Sequence, residues 1–189
     1  MACSRISAVI RCKSSYINGS RRLSTSNPVR AALKVGDAIP SASLFEHNPN
    51  TKLNSSELFG SGKHVIFGVP GAFTPTCSES HLPGYIEKHN ELKKKGIVSI
   101  NCVAVNDPFV MKAWGEAHNA TGKIRMLADI QAEFTKALGL EIDLSAVLGN
   151  VRSKRYAMVV ENGIVKHLLV EPSGIELTCS AANKLMSEI

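Results

Sequence analysis

The chain of 189 residues lacks any apolar run approaching the ~18–20 residues that cross a bilayer. It has no C-x-x-C pair, so the dithiol motif of disulfide-exchange enzymes is missing. No cysteines and histidines share zinc-ligand spacing; Cys77-x-x-x-His81 stands without further ligands, and His81 and His118 read as packing or surface residues. No internal repeat, low-complexity stretch or second domain is visible. Residues 1–36 contain no Asp or Glu, yet carry Arg5, Arg11, Lys13, Arg21, Arg22, Arg30 and Lys34. The remainder holds fifteen basic and all sixteen acidic residues, so the net charge of +6 belongs to the leader and gives no support for nucleic-acid binding.

That leader is rich in Ser, Arg and small apolar residues, and Arg11 interrupts any secretory-type apolar core. It reads as a mitochondrial transit peptide over residues 1–30, with Arg21–Ser26 resembling a processing site, followed by one domain over 31–189. The ending Ser187-Glu188-Ile189 is not a peroxisomal signal, so the expected location is mitochondrial, alongside a cytoplasmic form. Of five cysteines, Cys3 and Cys12 fall in the leader; Cys77, Cys102 and Cys179 are too few and too far apart for a disulfide scaffold.

The most informative segment is Pro70-Gly71-Ala72-Phe73-Thr74-Pro75-Thr76-Cys77, which follows the apolar run Val65–Val69. Thr76-Cys77-Ser78-Glu79 has the form of a capping box, which predicts Thr76 as N-cap and Cys77 as the first helical residue. A thiol there faces unpaired N–H groups and the positive end of a helix dipole, which favour the reactive thiolate. Thr74 stands three residues earlier, where its hydroxyl can donate to the sulfur or to a substrate.

Elsewhere, Ser43–Glu46 reads as a short strand and Asn54 as the cap of a short helix ending near Gly60. The helix after Cys77 places Leu82, Tyr85, Ile86 and Leu92 on one face, expects a kink or break at Pro83-Gly84, and ends at Lys93–Gly96. Ile97–Val105 is a second buried strand, and Asp107-Pro108 opens a helix with Val110, Ala113, Trp114 and Ala117 on its apolar side. A strand at Met126–Ala128, a helix over Gln131–Leu138, an irregular stretch over 139–154, a hairpin of Arg155–Val160 and Ile164–Val170 about Asn162-Gly163, and a helix from Thr178–Ser180 to the end follow. This order predicts an α/β, thioredoxin-like fold: a mixed central sheet with helices on both faces.

Pro70-x-x-x-Thr74-x-x-Cys77 is the active-site pattern of the peroxiredoxin family. Lys34–Pro40, Phe67–Pro75, His81–Gly84, Val105–Asp107, Met158–Val160, Val170–Pro172 and Leu177–Ser180 extend the resemblance to the peroxiredoxin-5, atypical two-cysteine type, across residues 34–189. The resemblance implies a thiol peroxidase acting on hydrogen peroxide, organic hydroperoxides and peroxynitrite, with no metal, haem or nucleotide cofactor. It makes Cys77 the peroxidatic cysteine, Thr74 a hydrogen-bonding partner of sulfur and peroxide, Pro70 the shield of the pocket, and Arg155 the arginine beside the thiolate, with Arg152 as the alternative. Thr76 stands where a glycine is frequent and contributes a backbone N–H to the substrate. Cys179 matches the resolving cysteine, which closes an intramolecular disulfide that thioredoxin reduces; members of this type are often non-covalent homodimers. Cys102 lies 25 residues after Cys77, a spacing that resembles the plant type-II members, but sits mid-strand among Ile100, Val103 and Ala104. A thiol oxidoreductase without peroxidase activity and a redox-sensing interaction protein are the rival classes; the missing C-x-x-C speaks against the first, and turnover with peroxide tests the second.

Overall fold

The computed structural model describes residues 32–189; the leader read as a transit peptide lies outside that range. Seven strands form one sheet: β1 (Ser43–Glu46), β2 (Lys52–Asn54), β3 (Lys63–Val69), β4 (Ile97–Ala104), β5 (Arg125–Ala128), β8 (Tyr156–Glu161) and β9 (Ile164–Val170). Their order is β2-β1-β5-β4-β3-β8-β9. β3, β4 and β5 run parallel in the centre, flanked by antiparallel pairs on both sides. The segment expected to be irregular instead forms a ribbon of β6 (Glu141–Asp143) and β7 (Val151–Ser153) around the single turn α6 (Ser145–Leu148). Its strands are three residues long, too short for an alternation pattern to show in the sequence.

β3 is buried on both faces because helices cover both. Val65, Phe67 and Val69 pack on one side with α2 (Leu82–Glu87), α3 (His89–Lys94), α4 (Pro108–Ala117) and α7 (Ala182–Ser187). Ile66 packs on the other with Phe59, next to α1 (Ser55–Leu58), and with α5 (Glu133–Leu138). Gly68 is required in this strand: a Cβ there would lie 2.1 Å from the Tyr156 ring on β8. The β8–β9 turn at Asn162-Gly163 has φ of 49° and 78°, the positive values a type I′ hairpin demands.

Several expected boundaries shift for identifiable reasons. Asp107 caps α4 through Phe109 and Val110 as expected, worth about 1 kcal/mol. Yet its buried face is Pro108, Met111, Trp114 and Gly115, while Ala113 and Ala117 face solvent. Helix and sheet approach so closely that a Cβ on Gly115 would meet Met126 Cγ at 2.7 Å, a contact that counting apolar side chains does not register. α5 starts at Glu133 because Ala132 takes a left-handed φ of 56°. α7 starts at Ala182, and the Thr178–Ser180 stretch is irregular.

Candidate active site

β3 ends at Val69 and hands the chain to buried Pro70 and a tight loop. Asn106, just beyond β4, accepts from the Ala72 amide at 3.1 Å and ties that loop to the neighbouring strand. Phe73 adopts a left-handed φ of 60° and is exposed. The Thr74 hydroxyl donates to the Gly71 carbonyl at 2.9 Å, so its proton goes neither to the sulfur nor outward; its oxygen keeps acceptor capacity.

The capping-box expectation at Thr76 is overturned. Thr76 is helical (φ −57°, ψ −36°), makes no side-chain capping bond and is exposed. The helix begins two residues earlier than expected, at Pro75, with Ser78 N–H donating to Thr74 O at 2.9 Å. Proline suits the first helical position because it has no N–H to satisfy. Cys77 is therefore the third residue of the helix, and the Thr76 and Cys77 amides precede the first intrahelical bonds.

Cys77–His81 is a π-helical turn, in which Leu82 N–H reaches back to the Cys77 carbonyl. This is the irregularity expected from Pro83-Gly84, placed one turn earlier. The proline ring crowds the carbonyl four residues before it, and widening that turn relieves the clash. A second break falls at Lys88, between α2 and α3.

Cys77 is fully buried. Arg155 comes from the position just before β8, is 2% exposed, and places Nη1 3.4 Å from Cys77 Sγ. Its Nε donates to the Ile175 carbonyl at 2.9 Å. Among the described residues, the three ion pairs do not include Arg155, so a buried cation faces the sulfur without a contacting carboxylate. Arg152 is elsewhere: its Nη1 and Nη2 donate to the Val105 and Leu148 carbonyls, each at 2.9 Å.

His81 belongs to this cluster, contrary to the packing or surface role expected for it. It is 1% exposed, with Nδ1 3.1 Å from Arg155 Nη1 and Nε2 3.1 Å from the Ser180 carbonyl. Guanidinium only donates, so Nδ1 accepts and the proton sits on Nε2. Burial and then the Arg155 charge lower its pKa to about 3, so the ring is neutral at physiological pH. The only sequence signal was its place one turn after Cys77, which lone-histidine reasoning discounts.

The two candidate resolving thiols differ in access. Cys102 is completely buried in β4 opposite Phe67, and burial, then proximity to Cys77, push its thiol up. Cys179 is half-buried on a shallow hollow beside Leu169, Thr178 and Lys184, with Sγ 3.5 Å from the Val170 carbonyl. Both are free thiols, as is Cys77. A hollow at the start of β4 and β5, among Lys93, Lys112 and Lys123, lies apart from this chemistry. Among the described residues no three His, Cys, Asp or Glu side chains gather to hold a metal, and no helix is long and apolar enough to cross a membrane.

The chain is similar to several known proteins. Residues 34–185 match the Redoxin family. Peroxiredoxin-2C of Arabidopsis thaliana is 46% identical over 162 residues, covering 84% of this chain and 99% of that protein. A reduced Prx3 of Vibrio vulnificus, solved in complex with H2O2, is 49% identical with a TM-score of 0.76, covering 82% of this chain and 98% of that one. Peroxiredoxin 5 of Alvinella pompejana is 43% identical with a TM-score of 0.71, covering 76% and 92%.

Proposed function

The chain belongs to the redoxin family as a peroxiredoxin, a peroxidase, and from that premise we propose that Cys77 is its peroxide-reactive nucleophile and Cys179 its resolving thiol. The observation that carries the first assignment is the Arg155 guanidinium 3.4 Å from a fully buried Cys77 sulfur. A buried cation without a contacting carboxylate stabilises an anion beside it, and a Cys77 thiolate is that anion.

The thiolate attacks the terminal oxygen of the peroxide, the O–O bond breaks, and Cys77 becomes a sulfenic acid while the leaving oxygen takes a proton from solvent and departs as water or alcohol. Arg155 donates to the peroxide oxygens as charge moves onto the leaving one, and the Thr76 and Cys77 amides add further donors. Thr74, its own proton held by Gly71, accepts the peroxide O–H and orients it. Pro70, buried where β3 ends, shields the reacting sulfur from water.

The Cys179 thiol then attacks the sulfenic sulfur: an S–S bond forms, the S–O bond breaks, and the hydroxyl leaves as water with the thiol proton. Thioredoxin restores both thiols by exchange. The half-buried position of Cys179, against the fully enclosed Cys102, supports this assignment. Phe73, Phe109, Val147 and Ile175 are exposed apolar side chains on the segments bordering the site. Such a rim suits organic hydroperoxides and a non-covalent homodimer. The acid-free leader supports mitochondrial import; residues 1–36 fused to a fluorescent reporter should carry it there, and a full-length cytosolic reporter refutes the proposal.

The test of the central assignment is peroxide consumption with thioredoxin and its reductase. Cys77→Ser should lose consumption entirely while remaining folded. Turnover in the folded variant would remove Cys77 from the mechanism.

A further inference from the structure

The residues that hold Cys179 have a construction unlike the rest of the fold. Thr178, Cys179 and Ser180 belong to no strand or helix, so no backbone ladder takes up their amides. A single side chain does so instead. Glu171 follows directly on β9, is 1% exposed, and points its carboxylate back across the Pro172-Ser173-Gly174 turn. Its Oε1 accepts from the N–H groups of Thr178 (2.8 Å), Cys179 (2.9 Å) and Ser180 (2.8 Å) and from the Ser180 hydroxyl (2.6 Å). Its Oε2 accepts from the Thr178 hydroxyl at 2.5 Å. Burial raises the carboxyl pKa, but bonds from Ser180 and Thr178 outweigh it and bring it down to about 2, so it is ionised throughout the physiological range.

The other side of the segment is tied to the Cys77 helix. The Ser180 carbonyl accepts from His81 Nε2 at 3.1 Å and from the Tyr85 hydroxyl at 2.9 Å. Cys179 Sγ, meanwhile, is directed at the Val170 carbonyl. A disulfide tolerates only a narrow range of Cα separation and sulfur geometry. Any movement toward Cys77 that carries the Cys179 backbone along breaks the Glu171 bonds to its segment.

We propose that Glu171 is the positioning residue that latches Thr178–Ser180, and that release of this latch sets the rate at which Cys179 reaches the Cys77 sulfenic acid. The proposal rests on the reading of Cys179 as the resolving thiol. While latched, the Cys179 thiol is held protonated by burial and then by the neighbouring carboxylate charge, so release also makes it more acidic. A latch of this kind separates two events in time. Peroxide meets an intact Arg155–His81 cluster first, and the second thiol arrives afterwards.

The chain has a single tryptophan, Trp114, whose Nε1 donates to Ser78 Oγ next to Cys77 at 3.0 Å. Its fluorescence in stopped flow with hydrogen peroxide reads sulfenic acid formation and then disulfide closure. In Glu171→Gln the ratio of the second rate constant to the first should rise about tenfold, as expected for losing one hydrogen bond to a charged acceptor. Thr178→Val, which removes one bond and keeps the side-chain shape, should raise it severalfold and serves if Glu171→Gln does not fold. A merely structural Glu171 predicts an unchanged or lower ratio, and that result overturns the proposal.

A second readout is independent of which thiol resolves. In chains whose other cysteines are changed to serine, Cys179 alkylation by iodoacetamide should speed up about tenfold with Glu171→Gln. If the wild-type disulfide maps elsewhere while this acceleration holds, the latch stands and the resolving assignment falls. If alkylation is unchanged, the latch falls.

Discussion

Cys77 and Cys179 are delivered by opposite kinds of structure. Cys77 sits two turns of chain beyond β3, the strand bonded to β4 on one side and β8 on the other and buried along almost its whole length. Asn106 and the Gly71 carbonyl then fix the connecting loop. Cys179 belongs to no strand or helix; the amides of its segment end on one carboxylate. The difference matches what the proposed mechanism asks of each thiol. The first must be held in place before peroxide arrives, because catalysis by fixed donors depends on geometry set in advance. The second, in that mechanism, must travel, and a segment held by side chains instead of a backbone ladder opens without disturbing the sheet.

Separating the two thiols gives the largest expected effect. Cys179→Ser should still consume one equivalent of hydrogen peroxide per chain but lose multiple turnover with thioredoxin. Cys102→Ser should turn over close to the wild-type rate, since its buried thiol serves packing in β4. Oxidised wild-type protein should run as a monomer on a non-reducing gel and yield a Cys77–Cys179 peptide. If Cys102→Ser is the variant that stalls, the contrast between a fixed and a travelling thiol is wrong, because both thiols would then come from the rigid sheet.

The next largest effect concerns the rigid half alone. Arg155→Gln should slow the first, peroxide-dependent phase by about 10²–10³, the usual loss for a preorganised donor at a reacting oxygen. Arg152→Gln should slow it far less, since the Arg152 guanidinium is occupied by the Val105 and Leu148 carbonyls. The reverse ranking would move the thiolate partner to Arg152.

The same contrast explains what was legible in the sequence. The fold class, the β3-to-helix delivery of Cys77, the Asp107 cap and the Asn162-Gly163 hairpin rest on local signals: apolar runs, a capping residue, a turn dipeptide. They all appear in the structure. Arg155 could be placed beside Cys77 only through family resemblance, because 78 residues of chain separate the two. His81 and Glu171 carry no local signal for a related reason. His81 gains its role from Arg155 and Ser180, which lie 74 and 99 residues away. Glu171 looks like any acidic residue at a strand end until its five donors are in view. The Thr76 cap fails because two local rules compete: a capping box argues for Thr76, while Pro75 suits the first helical position and prevails.

The smallest expected effect joins the two regions through His81, which touches Arg155 on one side and the Cys179 segment on the other. Its folded-state pKa is depressed from 6.5 to about 3. As pH falls below 6.5 the unfolded chain takes up a proton at this position and the folded chain does not. Stability from the neutral, buried ring is therefore fully present above pH 6.5 and declines from there toward about 3, by at most ~1.4 kcal/mol per pH unit. Glu171 acts in the same direction but lower, between its ordinary 4.5 and about 2, while the buried Asp129 carboxyl, pushed up by burial, acts in the opposite direction, so the difference from a His81 variant between pH 6.5 and 5 reports on His81. Over that interval the melting temperature should fall by several degrees, at ~2–4 °C per kcal/mol for a domain of this size. His81→Gln keeps an acceptor and a donor but does not titrate, so its melting temperature should be lower at pH 7 and flatter toward pH 5. A variant that retains the wild-type slope would show that the ring is not held neutral between Arg155 and Ser180, and would uncouple the rigid site from the travelling segment.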